Sequence, residues 1–181
     1  MFRREGLPIA IKRILLVVVV LVSALLQNTD GFLPVFFGAR IFLLIPVVIS
    51  IGMMEGEFAG LVYGLIGGAF WDICSSGIDG WHAFYLAFIG CLSGVLIHFI
   101  MRNRLLTEYC VCGVASVIHC VVYWLFTVYI PLGDMDYKKL LGFYLPSAVV
   151  TTAFSFIVFY IIKLICVSFK EMEDKRENEV I

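Results

Sequence analysis

Residues 52–72 read GMMEGEFAGLVYGLIGGAFWD. Inside this apolar run a small or acidic residue returns at every fourth position: Gly52, Gly56, Gly60, Gly64, Gly68 and then Asp72. Residues four apart share one face of a helix, so from Gly56 onward the spacing predicts a smooth groove that another helix backbone can approach, closed at one end by a carboxylate. In hydrocarbon an apolar side chain gains nothing by leaving lipid, and close backbone packing becomes a main means of helix association. The stripe therefore predicts helix contact rather than chemistry.

Around it the chain of 181 residues is 62% hydrophobic and 15% charged, with a mean hydropathy of +1.02. That lies outside soluble globular composition and predicts an integral membrane protein. Apolar runs fall at residues 9–27, 41–54, 58–71, 81–101, 108–130 and 140–167. Six crossings at about 20 residues each would use roughly 120 residues and leave no room for a soluble domain. The expected fold is an all-α, six-helix transmembrane bundle, one domain over residues 1–181, ending in a charged tail from residue 168.

The net charge of −1 says little, because the arrangement carries the signal. With the N-terminus in the cytoplasm, ten of the thirteen basic residues fall inside: Arg3, Arg4, Lys12, Arg13, Arg102, Arg104, Lys163, Lys170, Lys175 and Arg176. Only Arg40, Lys138 and Lys139 fall outside. The positive-inside rule then predicts both termini in the cytoplasm. Residues 14–26 follow basic residues as a secretory signal would, but no small-x-small cleavage site precedes Gln27, so an uncleaved anchor is expected. The six cysteines form no C-x-x-C pair and read as small apolar residues of a membrane interior.

The second run is short for a crossing, and Pro46 predicts a kink within it. Either it extends toward Gly38 and thins the bilayer, or it dips in and returns through the turn at Glu55 and Glu57. Residues 28–40 and 130–139, with Pro34, Pro131, Asp134 and Asp136, read as outer loops. The tail, mixed in charge, reads as solvated and frayed, or as a dock for a cytoplasmic partner.

No Walker loop, H-E-x-x-H, G-x-S-x-G or dinucleotide fingerprint appears. The remaining candidates are ionisable groups at membrane depth. His119, near the middle of the fifth run, could relay a proton or meet a ligand; alternatively it hydrogen-bonds Thr151, Thr152 or Ser155 of the sixth. Asp72, Asp79 and His82 could form an outer polar cluster, which as a metal site would match no established spacing. Alternatively Asp72 accepts hydrogen bonds from the turn Ser75, Ser76 and Gly77. Gly90 and Gly94 give the fourth helix a close-packing face of its own. No metal, cofactor or nucleic-acid partner is expected.

The run Gly56, Gly60, Gly64, Leu65, Gly67, Asp72, followed by Gly77, Gly80, Trp81, His82, Ala83, Gly90 and Gly94, resembles the rod-shape-determining MreD family. There too a glycine-rich helix ends in an aspartate and a short glycine turn leads to the next span. The resemblance implies a plan similar to the substrate-binding S subunits of energy-coupling-factor transporters. It implies a non-catalytic component of the bacterial inner membrane, serving wall elongation and cell shape. MreC, the MreB filament, RodA and a class B penicillin-binding protein are the implied partners, with membrane lipid. The competing expectation is a transporter's S-like subunit binding a small molecule in a cavity lined by Trp71, Asp72, Trp81 and His82. A lipid-modifying enzyme using His119 or Asp72 is a third.

Overall fold

The glycine stripe decides how the centre of the bundle is built. In the computed structural model, which describes residues 7–29, 39–75, 80–100, 104–130, 138 and 140–179, the helices are α1 (Leu7–Asn28), α2 (Leu44–Glu55), α3 (Glu57–Cys74), α4 (Trp81–Phe99), α5 (Leu105–Trp124) and α6 (Leu145–Glu179). Five helical stretches among these residues are long and apolar enough to cross a membrane; α2 is shorter. The chain is thus an all-helical, multi-pass membrane protein.

α3 and α4 run antiparallel with backbones almost touching. A Cβ built on Gly60 would fall on the carbonyl oxygen of Gly90, and one on Gly90 would fall on that of Gly60. Gly64 meets the Leu86 carbonyl and Ala87 Cα in the same way, Gly68 meets His82 and Ala83, and Gly94 meets Glu57. Gly52 brings α2 onto the same seam, against Gly90 and Ser93, whose hydroxyl lies 3.2 Å from the Ile49 carbonyl oxygen. All of these glycines are buried. The groove is therefore filled from within the chain. Gly56 is the exception: at φ +93° it makes the turn between α2 and α3, where nothing lies within 4 Å of a built Cβ.

α2 is buried from Leu44 to Met53, as expected of a helix apolar on every side. Its 12 residues span about 18 Å, short of a hydrocarbon core of about 30 Å, and the non-helical residues 39–42 before it add at most about 13 Å. Extended backbone at that depth must find internal hydrogen-bond acceptors. α6 supplies them: the N–H of Arg40 donates to Ser147 Oγ at 3.0 Å, and one turn further along, the N–H of Phe42 donates to Thr151 Oγ1 at 2.9 Å. Gln27 Oε1 of α1 accepts from the N–H of Leu44 at 3.0 Å. Pro46 sits in the first turn of α2, where a missing N–H breaks no intrahelical bond, so the expected mid-span kink has no cause.

Replacing Thr151 by Val keeps the side chain's shape and removes that acceptor. The orphaned N–H is expected to lower stability by about 1–3 kcal/mol, read as a reduced unfolding midpoint of the detergent-solubilised protein. An unchanged midpoint would mean that the bond to Phe42 contributes nothing.

At the opposite end, Lys12 of α1 pairs with Glu55 at 2.9 Å, and the Tyr63 hydroxyl donates to the Arg13 carbonyl at 3.2 Å. Leu16, Val20 and Ala24, four apart, turn inward, while Ile14, Val18, Val22 and Leu25 face out. α6 continues as helix to Glu179 instead of fraying at residue 168. An established ladder gains about one hydrogen bond for each residue added, and Glu, Lys and Arg are good helix formers. The expected loop residues Pro34, Pro131, Asp134 and Asp136 lie outside the described residues, as do Ser76, Gly77 and Asp79.

Candidate functional site

Asp72 stands in the last turn of α3, where its own helix dipole disfavours a negative charge. The neighbouring helix compensates. α4 begins after Gly80, a left-handed residue at φ +78° that has no side chain to cap it. The two oxygens of Asp72 take that role from outside the helix: Oδ1 accepts from the N–H of His82 at 3.1 Å, and Oδ2 from the N–H of Ala83 at 2.9 Å. These are the second and third residues of α4, the donors a good N-cap would satisfy. His82 Nδ1–H donates to Oδ1 as well, at 2.7 Å. Among the described residues the partners of the carboxylate are the start of α4; of the expected turn, Ser75 Oγ reaches only the Asp72 carbonyl oxygen, at 3.5 Å, and Ser76 and Gly77 lie outside the described residues.

That bond fixes the His82 ring, which is 2% exposed and lies flat on Trp71, with centroids 4.2 Å apart and planes 21° apart. His119 of α5 joins the group, equally buried. Its ring centroid is 5.0 Å from Tyr85, 5.3 Å from Trp71, 5.5 Å from His82 and 5.6 Å from Phe42. Tyr123, one turn on, lies nearly parallel to it at 5.8 Å. The expected partners of His119 are engaged elsewhere: Thr151 with Phe42, Thr152 with the Ala148 carbonyl, and Ser155 with Glu108. Among the described residues His119 Nδ1 has no hydrogen-bond partner.

Of these rings Phe42, Trp71, His82, His119 and Tyr123 wall a cavity of about 350 Å³ at the Asp72 end of the bundle, completed by Asn28, Arg40, Cys74, Ser75, Phe143 and Tyr144. Trp71 and His82 line it as the sequence led us to expect; Asp72 and Trp81 do not, because Asp72 is turned to the α4 backbone. A π-helical turn before α6, Leu140–Tyr144, supplies Phe143 and Tyr144 to it; a second, Leu125–Tyr129, ends α5.

A second polar group escaped the sequence reading. Glu108, in the first turn of α5, is fully buried; Ser155 Oγ donates to its Oε2 at 3.0 Å, and among the described residues Oε1 has no partner. With Ser147, Thr151 and Ser155 it forms a polar seam between α5, α6 and the extended segment. The signal was present: an acidic residue opening an apolar run, and hydroxyls four apart on α6. Among the described residues no three side chains gather as a metal site.

No family model, curated protein or solved structure matches the chain. Fold and site define a multi-pass α-helical membrane protein. Two buried histidines share one cavity, and the buried carboxylate of Glu108 belongs to a seam between helices.

Proposed function

We propose that this chain is a non-catalytic scaffold of the MreD type in the inner membrane of a rod-shaped bacterium. In this role it couples MreC and the MreB filament to RodA and a class B penicillin-binding protein during wall elongation. The observation that carries the reading is the joint structural role of the residues behind the resemblance. Gly60, Gly64, Gly90 and Gly94 lock α3 to α4, and Asp72 pins the start of α4, so the motif builds one rigid helix pair. Such a pair suits a part that holds other helices in place. On this reading the partner's helix docks on an outward apolar face, since the glycine groove is already filled.

The test is affinity purification of the tagged chain from native membranes in mild detergent, with mass spectrometry of the co-purifying proteins. MreC and the wall synthases are expected, and depletion of the chain should round the cells. Recovery of an ATPase pair with a coupling membrane subunit would instead make the chain a transporter's substrate-binding subunit, and would overturn the scaffold.

A further inference from the structure

The cavity at the Asp72 end, at about 350 Å³, falls within the range of roughly 300–1,000 Å³ found for small-molecule sites. Its walls are built. His82 gives its Nδ1–H to Asp72, which holds the ring in place and leaves Nε2 as the nitrogen available to a guest. His119, 2% exposed, keeps an unpaired Nδ1, where buried polar atoms nearly always have a partner. The rings lie in two nearly parallel pairs, Trp71 with His82 and His119 with Tyr123, drawn from three different helices. Phe143 and Tyr144 reach the cavity from a π-helical turn, an irregularity found mostly where a helix has a function beyond packing.

We propose that this cavity is a binding site for a small planar heteroaromatic molecule with adjacent hydrogen-bond donor and acceptor groups. Its ring stacks on the aromatic walls and its polar edge meets the imidazoles of His82 and His119. Offset stacking favours a flat ring against such walls. A cation, the other usual guest of aromatic walls, would enter a cavity whose lining already includes a basic residue, Arg40. Paired imidazole nitrogens distinguish a guest with a polar edge from a plain hydrocarbon such as an acyl chain. The site stands on the cavity itself and holds whether or not the chain serves wall elongation.

Cys74 provides the readout, because it lines the cavity and is exposed, whereas the exposed Cys110 lies near the start of α5 at the far end of the bundle. The full chain in lipid nanodiscs is treated with N-ethylmaleimide, and alkylation of each cysteine is followed by peptide mass mapping as nicotinamide, uracil or indole is titrated in. At least one of the three is expected to slow alkylation of Cys74 saturably while Cys110 reacts at an unchanged rate. His119→Phe, which keeps the ring and removes both nitrogens, should raise the midpoint at least tenfold. Tyr123→Leu, at a half-buried position, should do the same and carries the test if the histidine variant fails to fold. The inference is overturned if no probe slows Cys74, if Cys110 slows in parallel, or if both folded variants keep the wild-type midpoint.

Discussion

Gly60→Leu is expected to abolish the folded bundle. A Cβ at this position would fall on the Gly90 carbonyl, and the three further carbons of leucine have nowhere to go, because backbone occupies the space on both sides. Relief requires α3 and α4 to separate along their whole length, which would also open the contacts of Gly64, Gly68 and Gly94. Ordinary overpacking of a core costs about 1–3 kcal/mol where side chains can adjust. Here backbone would have to move, and the loss should exceed about 3 kcal/mol. Size-exclusion chromatography of the solubilised protein is the check: the variant should aggregate, while Gly142→Ala, with nothing within 4 Å of the added carbon, should elute as the wild type. A monodisperse Gly60→Leu protein with a wild-type unfolding midpoint would refute the internal packing. The same expectation means that this substitution cannot serve as a selective test of partner binding.

The next largest effect belongs to Asp72→Ala. It would strand three donors at once: the N–H groups of His82 and Ala83 and the Nδ1–H of His82. Loss of an N-cap acceptor costs about 1 kcal/mol, and each buried donor left unpaired about 1–3 kcal/mol. The side chains of Asp72 and His82 are only 11% and 2% exposed, so water can replace little of the lost bonding. We expect a total loss of about 2–4 kcal/mol, seen as a lowered unfolding midpoint. Asp72→Asn should fall between, since one oxygen remains while its NH₂ faces other donors. Since the Asp72 bond also orients His82, the alanine variant should weaken any protection of Cys74 by a bound ring. A wild-type midpoint for Asp72→Ala would mean that the start of α4 needs no cap.

The glycine seam was legible because its signal is local. Spacing of four on α3 and on α4 marks two narrow faces, and antiparallel neighbours joined by a short turn bring such faces together. The carboxylate at the end of the row was legible as a fastening, but not what it fastens, since caps are normally sought just before a helix begins and Asp72 lies ten residues before His82. The polar groups at membrane depth were harder. His119 drew attention as a lone ionisable group, yet its surroundings come from α3, α4 and the segment before α2. No periodicity in one stretch reports where another stretch will lie. Residues 39–42 were the least legible, because their hydrogen-bond acceptors stand 107 and 109 residues further along the chain. A short apolar run before Pro46 carries no trace of them. Glu108 was passed over for a simpler reason: at the edge of an apolar run, an acidic residue reads as the end of a span.

Those distant acceptors bear on how the protein is made. As the chain leaves the ribosome, residues 39–42 emerge long before Ser147 and Thr151 exist, and a bare strand of amides has no place in hydrocarbon in the interim. α1, α3, α4 and α5 carry their own hydrogen bonds and can enter the bilayer in turn. The segment before α2 has to wait for its acceptors, and synthesis of the last helix is what supplies them.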